Sequence, residues 1–170
     1  MSNPSPAASQ PVHINAPAKP PTTVSVSRVI NATPERLYAL ISDMPRMGEW
    51  SPENQGGRWM NGASGPAMHA RFKGKNRQGW RRWSTMAKVV TANPPHEFVF
   101  EVTTRGFRIA KWGYVLEPVT GGTKVTETWY DNRSSFFAKV SSTAVGVHNR
   151  AEYNRVGMEQ TLERLATAAE

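Results

Sequence analysis

From Gly56 to Asp131 the hydropathy of the chain repeats every second residue, in run after run separated only by short turns, and few folds accept such a pattern. Gly56 to Gly62 forms a short run around Trp59, after which Met68, Ala70 and Phe72 alternate with His69, Arg71 and Lys73. Trp80 to Thr91 comes next, then His96 to Thr104 with Phe98, Phe100 and Val102 on one face. Arg108 to Val119 sets Ala110, Trp112, Tyr114 and Leu116 against Ile109, Lys111 and Gly113, and Lys124 to Asp131 sets Val125, Glu127 and Trp129 against Lys124, Thr126 and Thr128. Asn93-Pro94-Pro95, Arg105-Gly106 and Gly121-Gly122 read as hairpin connections. Parallel strands need crossovers of a dozen residues or more, for which there is no room, so the pattern predicts an antiparallel meander.

The ends of the chain follow a different period. A strand begins at Thr23, where Val24, Val26 and, after a phase shift, Val29 and Ile30 lead to Asn31. Thr33 as N-cap, Pro34 at the first helical position and Glu35 in the first turn predict a helix with Leu37, Tyr38, Leu40 and Ile41 on its apolar side. A second short helical piece is expected over Met44 to Trp50. The last helix spans roughly Ala151 to Ala168, with Met158, Leu162 and Leu165 on one stripe. Residues 1 to 22 carry Pro4, Pro6, Pro11, Pro17, Pro20 and Pro21 among small and polar residues, too little apolar surface to offset chain entropy, and read as a disordered tail. Residues 23 to 170 then form a single domain.

The residues ATPERLYALISDMPRMGEWSP, the turn TANPPHEFVFEV, the pair WGYVLEPVTGGTKVTETW and the ending GMEQTLERL resemble the helix-grip (SRPBCC, START-like) superfamily. That superfamily includes lipid-transfer START domains, birch-pollen-allergen-like proteins and bacterial polyketide cyclase/dehydrase-like proteins. The resemblance covers about Thr23 to Ala168 and implies an α+β fold. A curved seven-stranded antiparallel sheet would wrap a long C-terminal helix, with two short helices between the first and second strands and an apolar cavity inside.

If the helix lies on the concave face, the lysine-free phase of each strand points inward. The expected cavity wall is then Phe72, Trp83, Thr85, Phe100, Trp112, Tyr114, Glu127 and Trp129 from the sheet, with Asn154 and Met158 from the helix. Aromatic walls with a few convergent polar groups are characteristic of small-molecule pockets, although the same stripe also suits a solid core. Glu127, between Val125 and Trp129 on one face, is the polar position of most interest. It reads either as an anchor or general acid/base within the cavity, or as half of an ion pair with Arg150 or Arg155. Tyr114 and His148 are the only other catalytic candidates.

The formal charge of +8 suits anionic partners, but the cations are scattered over Arg71, Lys73, Lys75, Arg77, Arg81, Arg82, Arg105, Arg108 and Lys111. Basic and aromatic residues are not interleaved on one face, so nucleic acid is not the expected partner. There is no cysteine, and His13, His69, His96 and His148 show no metal-ligand spacing, so neither a metal nor a cofactor is expected. No phosphate loop, dinucleotide fingerprint or nucleophile elbow occurs. Without a signal-peptide pattern or an apolar run long enough to span a membrane, the chain is expected in the cytoplasm. The segment from Ser134 to Asn149 fits either a helix over the cavity mouth or the first turns of a C-terminal helix bent at Gly146. The favoured function is binding or transport of a small hydrophobic ligand such as a lipid or polyketide. The alternatives are a polyketide cyclase, aromatase or dehydratase-like enzyme, and a basic-surface binder of ribosome, nucleic acid or membrane.

Overall fold

The computed structural model describes residues 23–147 and 149–170; the expected N-terminal tail, residues 1–22, lies outside them, as does His148. Strand β1 (Thr23–Ile30) is followed by helix α1 (Pro34–Ser42) and a 3-10 helix (Met44–Glu49). Strands β2 (Asn54–Met60), β3 (Arg71–Gln78), β4 (Arg81–Asn93), β5 (Glu97–Thr104), β6 (Phe107–Val119) and β7 (Gly122–Asp131) follow, and then helices α2 (Ser135–Val145) and α3 (Arg150–Ala169). The seven strands form one sheet in the order β1-β7-β6-β5-β4-β3-β2, antiparallel throughout. The meander from β2 to β7 thus acquires β1 at its far edge.

The cap expected for α1 forms. Thr33 accepts a hydrogen bond from the Arg36 amide at 3.3 Å, and Pro34 needs no partner for an amide hydrogen it lacks. Asn149 caps α3 by accepting from the Glu152 amide at 3.1 Å. Asn154, Met158, Thr161, Leu162 and Leu165 are the buried stripe of α3, at the spacing of one helical face. The helix packs against β1, β7 and α1, so that its C-terminal half closes the core with Leu37, Ile41, Phe98 and Val125.

Four expectations need correction. No phase shift interrupts β1, which pairs continuously from Thr23 opposite Tyr130 to Ile30 opposite Thr123. Met68 is not on an inward strand phase: it is 58% exposed, and β3 starts only at Arg71, because His69 takes a left-handed backbone (φ 67°) that breaks the extended chain. Trp80 belongs to the tight turn after Gly79 (φ 58°) and stands in solvent against Arg81. In β6, Ile109 does not stay on the outer face. A bulge places it between the pairs Thr103 with Arg108 and Val102 with Ala110, and the extra residue turns toward the interior.

The segment after β7 is a separate helix. Gly146 (φ 77°) ends α2, and α3 starts four residues later, so the two helices are not one bent rod.

Candidate functional site

The sheet curves away from the N-terminal half of α3 and borders a cavity of about 520 Å³. Register decides which side chains meet there. One row across the sheet is Phe72, Ala87, Val102 and Ala110, in which the alanines leave space. The next is Val89, Phe100, Trp112 and Trp129, with the two indoles 6.4 Å apart between centroids. A third is Phe98, Tyr114 and Glu127. Trp83 and Thr85 extend the wall toward the outer end, and Asn154 and Met158 close it from α3. Every side chain expected on the cavity wall therefore borders the same hollow.

The polar centre is a pair. Tyr114 donates from Oη to Glu127 Oε1 at 2.8 Å, and both residues are buried. Burial disfavours the carboxylate and raises the Glu127 pKa to about 8, an effect that the Tyr114 hydrogen bond opposes in part. The Tyr114 phenol is pushed well above its ordinary value, first by burial and then by the neighbouring Glu127. Glu127 Oε2 and Asn154 Nδ2 are buried without a hydrogen-bond partner among the described residues. This acid keeps its proton at neutral pH and carries it inside an apolar chamber, which suits either anchoring a polar ligand atom or proton transfer.

The alternative ion pair for Glu127 does not form. Arg150 donates to Glu53 Oε1 at 2.8 Å, and Arg155 pairs on the surface with Glu152 at 2.7 Å and Glu159 at 2.5 Å. Distance along the helix explains this: Arg150 lies a turn before Asn154, near the mouth, and Arg155 faces outward. His148 is outside the described residues, so of the catalytic candidates the structure joins Tyr114 and Glu127 alone.

The mouth was not legible from strand periodicity, because its residues come from turns and helix starts. Arg133 makes a half-buried bidentate pair with Asp131, at 2.8 and 2.6 Å, and reaches Ser141 on α2 at 3.1 Å. Phe107 at the β5–β6 turn stacks on Phe137 of α2, with ring centroids 5.2 Å apart. Arg150 lies over the Tyr153 ring, and Tyr153 hydrogen-bonds Gln78 at the β3–β4 turn. The one available signal was the spacing of Arg150, Tyr153 and Asn154, which extends the inward stripe of α3 toward its start. Arg71, Lys73, Lys75 and Arg77 are exposed on the outer phase of β3, away from the cavity.

A curved antiparallel sheet holding one long helix, with a hollow between them, defines a helix-grip protein. The chain belongs to the polyketide cyclase / dehydrase and lipid transport family, whose model matches residues 21–170. It is similar to the solution structure of a polyketide cyclase-like protein from Corynebacterium glutamicum, at 30% identity over 91% of each chain and a TM-score of 0.55. Likeness of fold extends to ginseng major latex-like protein 151 from Panax ginseng, at 9% identity over 89% of this chain and 99% of that one, with a TM-score of 0.66. It extends also to the di-domain ARO/CYC BexL of the BE-7585A biosynthetic pathway, at 16% identity and a TM-score of 0.66, where 88% of this chain corresponds to 50% of the other. No curated protein matches the sequence. Among the described residues, no helix is long and apolar enough to cross a membrane.

Proposed function

We propose that this protein binds a small hydrophobic molecule, a lipid, a polyketide or a compound of similar character, in the cavity between the sheet and α3. The observation that carries the reading is the chamber of about 520 Å³, whose lining surface is mostly apolar and includes Phe72, Phe100, Trp112, Trp129 and Met158. Apolar walls with sparse polar contacts favour burial of an apolar ligand and leave its orientation to those contacts. As a carrier the protein needs nothing more, and a chain without cysteine can do this in the reducing cytoplasm. Native mass spectrometry of the protein purified from its own host should detect a bound apolar compound. Displacement of N-phenyl-1-naphthylamine should then report saturable binding at one site. Failure of any apolar compound to bind would mean that the aromatic walls close to a solid core.

A second reading is favoured by one observation, the buried Glu127 hydrogen-bonded to Tyr114 within the chamber, where burial raises its pKa to about 8. It is an enzyme similar to the aromatase/cyclase proteins, in which Glu127 passes its proton to the ligand. Under that reading Glu127→Gln lowers turnover by roughly a hundredfold or more while binding changes little. A carrier shows no turnover to lose.

A further inference from the structure

Among the described residues, the only exposed Phe, Tyr or Trp side chains are Trp80 (82%), Phe107 (58%) and Phe136 (80%), and all three stand at one end of the molecule. The β3–β4 turn carries Trp80 and the β5–β6 turn carries Phe107; in an antiparallel meander these turns emerge together, and β7 runs out at the same end into α2, which carries Phe136. Helix α2 joins the two turns. Phe137 stacks on Phe107 near its start, and a side chain at Gly146, just past its end, would meet the Arg81 guanidinium at 2.7 Å. Phe107, Phe137 and Val140 also line the cavity, so this end is its mouth. Single exposed rings are ordinary on a protein surface, but their confinement to the three elements around one opening is not.

The charge beside these rings has one sign. Arg81 and Arg82 follow Trp80, and Arg105 and Arg108 flank Phe107; none of the four makes an ion pair among the described residues. The carboxylates of this end are taken by other arginines: Asp131 by Arg133, Glu53 by Arg150 and Glu152 by Arg155. We infer that this end docks on an anionic lipid bilayer, with Trp80, Phe107 and Phe136 entering the interfacial layer while Arg81, Arg82, Arg105 and Arg108 meet lipid phosphates. Aromatic rings settle at the boundary between headgroups and acyl chains, and basic residues are drawn to the negative surface potential. A single-stranded nucleic acid fits less well, because successive bases need stacking rings along one track and these rings stand on separate elements. The cavity mouth then opens onto the bilayer. Docking does not depend on what the cavity holds, and it stands or falls apart from the reading of the cavity as a ligand site.

The test is flotation of the full chain with phosphatidylcholine vesicles, plain or containing about one part in four of phosphatidylglycerol. Wild type should bind the mixed vesicles and not the plain ones, and binding should weaken as salt rises. Trp80→Ser combined with Phe136→Ser changes two exposed residues that do not line the cavity, and should weaken binding by about tenfold or more. Arg82→Gln combined with Arg108→Gln should weaken it by about twentyfold, roughly fivefold for each charge. Lys73→Gln combined with Lys75→Gln removes the same charge from the outer face of β3, beyond a screening length from the turn, and should cost less than about threefold. Thermal melts of each variant separate loss of fold from loss of docking. Insertion has its own readout: vesicles of brominated phosphatidylcholine with phosphatidylglycerol should quench the tryptophan fluorescence of wild type, and Trp80→Phe should lose most of that quenching while still binding. Equal losses in the lysine and arginine pairs would reduce the contact to adsorption of a basic chain and overturn the docking end. Equal binding to both vesicle types, no binding to either, or quenching that persists in Trp80→Phe would overturn it too. Tighter binding to a single-stranded RNA of about twenty nucleotides than to the mixed vesicles would replace the bilayer with a nucleic acid.

Discussion

The inner and outer halves of the chamber are built by opposite means. At the inner end, Phe98, Tyr114, Leu116, Val125 and Glu127 stand on three paired strands, and α1 and the C-terminal half of α3 pack against them. Their positions are fixed by backbone register and by close packing. At the mouth, Phe107, Arg133, Phe137, Tyr153 and Arg150 hang from turns and helix ends and are tied together by ion pairs and one aromatic stack. Strand register is cooperative, whereas contacts between loops open one at a time. Preorganised polar recognition therefore belongs at the inner end, and the mouth is where a ligand can pass.

The largest effects should come from breaking the inner end. Leu162 is buried in the core on α3, so Leu162→Ala should cost about 2 to 5 kcal/mol in urea melts, from lost burial and the cavity left behind. A neutral result would mean that α3 does not hold the sheet closed.

Next in size is the pH dependence of Glu127. Its folded pKa is about 8 and its ordinary value is 4.5. Below the ordinary value both states are protonated and folding loses nothing. Between the two values the unfolded chain releases a proton that the folded chain retains, so stability falls as pH rises, and above about 8 the whole penalty is present. Glu127→Gln removes this linkage. Relative to wild type it should be about equally stable at pH 4 and more stable by a few kcal/mol at pH 9, since each pKa unit is worth about 1.4 kcal/mol. A difference between the two proteins that does not change with pH would show that water reaches the carboxyl group in the folded protein. The chamber would then not be dry at its inner end.

The mouth should respond less. Arg133→Ala leaves Asp131 without its bidentate partner in a half-buried place, and a loss of about 1 to 3 kcal/mol is expected in the same melts. Raising the salt should shrink that difference only slightly if the pair is shielded as the structure has it. A strongly salt-sensitive difference would place the pair in open solvent.

Strand periodicity carried the inner wall because the alternation of Phe98, Phe100 and Val102 and of Tyr114 with Leu116 has one cause, burial of one sheet face. It misplaced Ile109 and Met68 because a bulge and a left-handed residue each change the phase, and neither leaves a mark in hydropathy. The Tyr114–Glu127 bond follows from cross-strand register, which a pattern of faces leaves open until the turn at Gly121-Gly122 sets it. The ion pairs of Arg133 and Arg150 were beyond reach for a different reason. They join positions far apart in turns that have no period, as Arg150 and Glu53 show.

The smallest effect distinguishes a mouth that is a passage from one that is structural. Phe136 on α2 is 80% exposed, and its neighbour Phe137 makes the stack with Phe107. An exposed side chain loses little water-accessible surface on folding, so Phe136→Ser should change stability by no more than about 0.5 kcal/mol. Phe137→Ala removes a stacked partner and should cost more, up to about 1.5 kcal/mol beyond its own lost burial. The informative measurement is kinetic. If ligand enters past α2, loosening the stack should speed both association and release of N-phenyl-1-naphthylamine in stopped flow, with the ratio of the rates, and hence the affinity, nearly unchanged. Leu162→Ala, by contrast, should alter affinity through the shape of the chamber. Unchanged rates in Phe137→Ala would move the entrance to another edge and make the stack part of the wall, erasing the difference between the two halves on which the other expectations depend.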